Sequence, residues 1–213
     1  MKDMQGIFIS MEGPDGSGKS TQIALLNDYF QSCGYETVIT REPGGTVISE
    51  KIREVILNKD YTEMGYMTEA LLYASARAQL VTEVIAPALA EGKAVISDRF
   101  IDSSAVYQGM GRGLGIDNIY KINRFATQGI MPDLTIHLDL PAKVGLDRAK
   151  GRAALDRMEL ESVTFHERVA QGYRDLAKLD PKRIHTIDAT KSIEEIHEAI
   201  LEHIKVLLDN RSA

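Results

Sequence analysis

Gly13-Pro14-Asp15-Gly16-Ser17-Gly18-Lys19-Ser20 fits the pattern G-x-x-x-x-G-K-[ST] without a mismatch. The run before it, Gly6-Ile7-Phe8-Ile9-Ser10-Met11-Glu12, is short, β-branched and aromatic, and reads as a buried strand. The run after it, Gln22 to Phe30, places Ile23, Leu26, Tyr29 and Phe30 at helical spacing. Strand, glycine-rich turn and helix together are the setting in which this pattern cradles phosphate. Glycines let backbone N–H groups approach phosphate oxygens without a side-chain clash, and the helix N-terminus adds partial positive charge. Lys19 is placed to reach the β- and γ-phosphates, and the Ser20 hydroxyl to ligate Mg²⁺. The expected ligand is a nucleoside triphosphate with Mg²⁺, bound by Gly13, Pro14, Asp15, Gly16, Ser17, Gly18, Lys19, Ser20 and Thr21. The motif alone leaves open a kinase, a GTPase switch and a motor.

Further strand-like runs follow at Glu36–Thr40, Lys93–Asp98, Leu134–Asp139 and Arg183–Asp188. Between them lie helical patterns: a short one carrying Ile48, Ile52, Val55 and Ile56, and a long alanine- and leucine-rich one over Thr68–Glu91 that Pro87 is expected to kink or divide. Others start at Ala142, cover Leu155–Leu179, and close the chain with Ile193, Ile196, Ile200, Ile204 and Leu207. Strands alternating with helices predict an α/β fold, a five-stranded parallel sheet with helices on both faces, and the phosphate loop makes it one of the P-loop NTPase type. At 213 residues and 44% hydrophobic, with no repeat or linker, residues 1–213 read as a single domain.

Bulk properties exclude several classes. A net charge of −6 argues against a protein that coats nucleic acid polymers. One cysteine, Cys33, near the expected end of a helix, rules out an intramolecular disulfide and reads as a structural thiol. No run of about 18 apolar residues suggests a membrane span, and the first residues lead into a strand rather than a signal peptide, so a soluble cytoplasmic protein is expected. His137, His166, His185, His197 and His203 lack metal-ligand spacing and read as structural or surface residues.

Two further segments choose among P-loop proteins. Arg41-Glu42-Pro43-Gly44-Gly45-Thr46 is a tight, charged turn at the C-terminal edge of the sheet, where open α/β sheets bind ligands. Asp98-Arg99-Phe100-Ile101-Asp102-Ser103-Ser104-Ala105-Val106-Tyr107-Gln108-Gly109 ends a strand in an acid and an arginine, then presents hydroxyls and an amide. An acid at a strand tip suits the Mg²⁺ shell, and the arginine beside it suits phosphate; taken alone, the segment also reads as a helix start capped by Asp102. Glu12 and Glu42 read either as neighbours of the Mg²⁺ shell or as turn caps.

With the phosphate loop, these segments resemble the thymidylate kinase family. The R-E-P-G-G-T turn and the D-R-[YF]-x-D-S-[ST]-x-A-Y-Q-G stretch carry the resemblance, Glu69–Gln79 looks like the family's nucleobase-binding helix, and 145–157 is similar to its lid, about 148–157. The resemblance spans roughly Ile7 to Leu208. It implies a nucleoside monophosphate kinase, commonly a homodimer, that moves the γ-phosphoryl group of ATP onto dTMP.

By the same resemblance Asp15 accepts from the 3′-hydroxyl of dTMP, and Arg53 and Arg99 hold its phosphate. Tyr73 stacks on thymine, and Arg77, one helical turn on, donates to O4, which discriminates against cytosine. Ser104 and Gln108 line the base pocket, Tyr107 packs where a ribose 2′-hydroxyl would sit, and Arg148 contacts adenine. Ser20 and Asp98 are the implied metal residues. Two departures stand out: the stacking residue is more often phenylalanine, so the Tyr73 hydroxyl needs a partner, and Val106 replaces an alanine.

The dTMP phosphate is mostly dianionic at neutral pH, so the reaction needs no general base and becomes a problem of positioning and charge. Lys19, Mg²⁺, Arg99 and one more arginine would meet it. Some family members carry that arginine in the phosphate loop, where this chain has Gly16; the lid cluster Arg148, Lys150, Arg152 and Arg157 must then supply it, and Arg152 is the expected residue, as in the bacterial type. The rivals are a kinase for AMP, CMP, GMP or shikimate, and a nucleotide switch, although the N-K-x-D segment of a GTPase is absent.

Overall fold

In the computed structural model, which describes residues 6–149 and 156–212, five parallel strands form one sheet in the order β2-β3-β1-β4-β5. They are β1 (Ile7–Glu12), β2 (Thr37–Arg41), β3 (Ala94–Asp98), β4 (Leu134–Asp139) and β5 (Ile184–Asp188), each within one residue of the run marked in the sequence. β1 is central and wholly buried, and its period of two serves both faces. Ile7, Ile9 and Met11 pack with Ile23, Leu26 and Phe30 of α1 (Lys19–Ser32) and Ile196, Ile200 and Ile204 of α9 (Ile193–Ser212). Phe8 faces the other way, onto Leu80, Val81, Ile85, Phe100 and Ile101. Each such side chain contributes about 1.5–3 kcal/mol by burial. Ser10 and Glu12 are also buried, and the Ser10 hydroxyl donates to Glu12 at 2.8 Å.

The chain runs from β1 across β3 to β2, and from β3 across β1 to β4. Connections therefore diverge between β1 and β3, and the crevice at their C-terminal ends is the switch point where such sheets bind ligands. The phosphate loop, the Arg41–Thr46 turn and the Asp98–Arg99 pair all leave from that edge.

Several elements differ from expectation. The long helix is α3 (Tyr66–Leu80), a wider π-helical stretch Val81–Ile85, and α4 (Ala86–Ala90). Pro87 has no N–H for the Glu83 carbonyl, so the division falls just ahead of it. The helix expected over Leu155–Leu179 starts only at Val163 (α8, Val163–Leu179), where Ser162 Oγ caps Phe165 N at 3.2 Å. Asp156 prevents an earlier start, because its Oδ1 accepts from Met158 N (2.8 Å) and Glu159 N (3.0 Å) and closes a turn instead. Asp102 is no helix cap: it is buried and bonded to Tyr120, Thr135 and Arg183. α2 (Val47–Leu57) and α7 (Ala142–Ala149) match their patterns, whereas α6 (Ile116–Ala126), which packs on α3, went unrecognised in the sequence. A short α5 (Ile101–Ser104) runs into π-helical turns over Ala105–Gly111. Cys33 caps α1 and is exposed. Among the described residues no helix is long and apolar enough to cross a membrane.

Candidate active site

Gly13 follows β1 at φ 136°, and a Cβ there would lie 2.6 Å from the Leu138 carbonyl oxygen. Only glycine lets the loop pass this close to β4. Lys19 Nζ donates to the carbonyls of Gly13 and Pro14, both at 3.1 Å, which curls the ammonium back over the loop. Burial and the nearby Arg99 charge push its pKa down to about 8, against the pull of Asp98, Asp15 and Glu12. Asp98 Oδ1 and Ser17 Oγ are buried without a hydrogen-bond partner among the described residues. Asp98, Lys19, Ser20 and Thr21 share one cavity of about 640 Å³.

Arg99 joins this cavity to a second. It is one of two non-glycine residues of the described chain with positive φ, at 72°. The left-handed conformation costs about 1–2 kcal/mol and is held by Arg99 N–H donating to Met11 O (2.9 Å) and by Ser97 Oγ donating to the Arg99 carbonyl (2.6 Å). The guanidinium is thereby aimed between the loops, over the Tyr107 ring at 5.2 Å, with Nη2 on Asp15 Oδ1 at 2.9 Å. Partial burial works against the Asp15 carboxylate, yet Arg99 and Lys19 hold its pKa down to about 2. Beneath lies a buried hub in which Glu12 accepts from Phe100 N (2.7 Å), Ser103 Oγ and Tyr173 Oη (3.0 Å), while Arg99 Nη1 reaches Ser103 Oγ and Tyr173 Oη, each at 3.3 Å. Glu12 is therefore a buried acceptor rather than a turn cap.

The second cavity, about 560 Å³ with its open mouth included, adjoins the first. Tyr73, Arg77, Ser104, Tyr107 and Gln108 line it, and Asp15, Glu42, Arg53 and Arg99 line both cavities. Arg77 is fully buried, with Nε (2.8 Å) and Nη2 on Glu42 Oε2. Nη2 also reaches Phe100 O (3.0 Å) and Ser104 Oγ (3.1 Å), and Nη1 reaches Asn123 Oδ1. Of the five N–H groups of a guanidinium, one on Nη1 is left over. Burial raises the Glu42 pKa above its ordinary value, although Arg77 draws it down. Arg53 Nη1 donates to Pro43 O at 2.8 Å from a turn that Gly45 makes possible, since a Cβ there would meet Thr40 Oγ1 at 2.4 Å.

Two cavities thus meet at Asp15, Glu42, Arg53 and Arg99, and comparison with known proteins gives the family. The sequence profile described as "Thymidylate kinase" matches residues 11–200. The chain is 47% identical to the thymidylate kinase of Geobacillus thermodenitrificans over 91% of this chain and 87% of the relative. It is 48% identical to that of Kosmotoga olearia over 95% and 97%. The crystal structure of thymidylate kinase from Ehrlichia chaffeensis superposes with a TM-score of 0.75 at 33% identity, covering 95% of this chain and 99% of that one. The chain belongs to the thymidylate kinase family. It is a kinase that phosphorylates dTMP.

As a thymidylate kinase the chain brings its expected residues largely together. Lys19, Ser20, Asp15 and Arg53 face the loop cavity, and Tyr73, Arg77, Ser104, Tyr107 and Gln108 face the other. The Tyr73 hydroxyl, for which a partner was expected, takes none among the described residues. Val106 is fully buried against Gly172 of α8, whose missing side chain leaves room for the extra methyl groups. Arg148 is exposed and donates to Gly16 O at 3.1 Å. Lys150 and Arg152 lie outside the described residues. Arg157 is bound elsewhere, with Nε on Ile56 O (2.8 Å) and Nη1 on Glu69 (2.7 Å). Sequence reading missed Asn123, Arg112 and Tyr173, whose partners are 46, 43 and 161 residues away and leave no local pattern. His137 is buried in β4 and stacked on Tyr173, a structural role as expected.

Proposed function

We propose that the loop cavity holds ATP and the Arg77 cavity holds dTMP, with Arg99 on the phosphates where the two meet. The observation that carries this reading is that Asp15, Arg53 and Arg99 line both cavities. Lys19 would bind the β- and γ-phosphates, and Arg53 and Arg99 the acceptor phosphate, so that two polyanions approach in line. Asp15 would accept from the 3′-hydroxyl, Tyr73 would stack on thymine, and the spare Nη1 hydrogen of Arg77 would meet O4. Tyr107 would fill the space of a 2′-hydroxyl, and Arg148 would lie beside adenine.

The residues present fit Mg²⁺. Asp98 offers a buried oxygen without a partner, and Ser20 faces the same cavity. Among the described residues no three His, Cys, Asp or Glu side chains are grouped to cage a metal, which suits an ion that keeps waters and binds through one or two protein groups plus phosphates. When bound, the ion would neutralise charge on the β- and γ-oxygens.

The same reading makes residues 1–213 one catalytic domain of the bacterial type, with the remaining arginine, Arg152, in a lid at about 148–157, working in the cytoplasm. It also makes the enzyme a homodimer through α2, α3 and α6, which pack side by side and leave Val47, Ile48, Met67, Leu71 and Phe125 exposed. An apolar area shared by three adjacent helices is the composition of a covered face.

ADP release from ATP–Mg²⁺ with a panel of nucleoside monophosphates tests the activity. Acceleration by dTMP is expected, and acceleration by AMP, CMP or GMP alone would overturn it. Sedimentation of the same preparation at twice the chain mass is expected of the dimer, and a monomer would refute it. Arg77→Ala should raise the KM for dTMP at least tenfold. It also strands the Glu42 carboxylate in the core and should cost about 3–5 kcal/mol in urea denaturation. An unaltered KM would remove Arg77 from the base pocket.

A further inference from the structure

Glu69, in the first turn of α3, is fully buried and surrounded by donors. Its Oε1 accepts from Gln108 Nε2 (2.9 Å) and Arg112 Nε (3.1 Å), and its Oε2 from Arg112 Nη2 (3.0 Å) and Arg157 Nη1 (2.7 Å). Burial would raise the carboxyl's pKa, but these donors outweigh it and hold the group below the usual carboxylate range. An ionised carboxylate accepts hydrogen bonds and cannot donate them. Gln108 must therefore turn its NH₂ toward Glu69, and the amide has one permitted orientation. Gln108 is 1% exposed, lines the acceptor cavity with Tyr73, Arg77 and Ser104, and its Oε1 takes no hydrogen bond from the described residues.

We infer that Glu69 is a positioning residue for base selection: by fixing the Gln108 amide, it presents a carbonyl oxygen, and not an N–H, to the edge of the acceptor's base. The inference rests on the reading of this cavity as the dTMP pocket. An acceptor there pairs with the ring N–H of a thymine or uracil, which lies between two carbonyls. It repels the lone pair that cytosine carries at the same ring position. Arg77 donates on one side and Gln108 accepts on the other, so together they read the donor–acceptor order of the base edge. Glu69 touches no substrate. Its buried charge sets the amide, and Arg112 and Arg157 keep that charge in place.

Glu69→Gln keeps the shape and lets residue 69 donate, so that the Gln108 amide is free to turn over. The test is kcat/KM for dTMP and for dCMP in the wild type and this variant. The dTMP-to-dCMP ratio is expected to fall at least about tenfold, the loss on dTMP falling on KM more than on kcat. General loosening would lower both substrates together, so an unchanged ratio overturns the inference. If Glu69→Gln does not fold because Arg112 and Arg157 lose their partner, Gln108→Met decides: it removes the amide at similar volume, the same fall is expected, and a retained ratio overturns the inference. Failure of the wild type to turn over dTMP would sink the reading of the cavity itself, and the two failures are therefore distinct.

Discussion

Lys19→Ala is expected to lower turnover of dTMP roughly 10³-fold or more while the protein stays folded. The ammonium is buried in the loop cavity, where the proposed triphosphate would lie, and among the described residues no other lysine lines that cavity. Stability should change little. The folded state already disfavours this charge, as its lowered pKa of about 8 states, and the loss of two hydrogen bonds to Gly13 and Pro14 offsets the relief. The same pKa sets a pH signature. A lysine whose folded pKa lies below its unfolded value gives up its proton as pH rises through the folded value, so the free enzyme loses a phosphate ligand above pH 8. ATP affinity in the wild type should then weaken by up to about tenfold per pH unit above that point, and in Lys19→Ala it should stay flat. Stopped-flow turnover, thermal melting and ATP titrations at pH 7 and 9 supply the readings. Substantial residual turnover, or the same pH slope in the variant, would refute the role.

Arg152→Ala is expected to reduce kcat by roughly 10³–10⁵ with little change in dTMP affinity. The phosphate loop carries Gly16 where some family members have an arginine, so on the proposed reading the cation that meets the transferred group would come from the lid. Arg157 is committed to Glu69 and the Ile56 carbonyl, and Arg148 lies exposed against Gly16. Arg152 itself lies outside the described residues. Removal of an arginine that acts on the transition state alone lowers kcat and kcat/KM equally. Single-turnover rates with dTMP at saturation measure this directly, and an unchanged kcat would remove Arg152 from the mechanism.

Much of the fold was legible because its signals are local. β4 is bounded to the residue by Leu134 and Asp139, and the other strands to within one position, since β-branched runs between glycine and charged residues have few alternatives. Where sequence reading failed, a side chain competed with the backbone. Asp156 closes a turn and delays α8 by eight residues, counting from 155 to 163. α6 was missed because Gly113 and Gly115 precede it and its polar face carries Asn118, Lys121 and Arg124. Asp102 looked like a cap and is instead a buried partner of Arg183, which lies 81 residues on.

By itself the sequence determined the phosphate loop, the parallel α/β order and the family, because each is written in contiguous residues whose spacing fixes local geometry. Only the tertiary structure decided which charges face one another. Arg77 is bound to Glu42 from 35 residues away, Glu69 gathers Gln108, Arg112 and Arg157, and Arg99 takes a left-handed backbone to bridge two cavities. Such pairings depend on desolvation and distance across separate elements, and no periodicity along the chain encodes them.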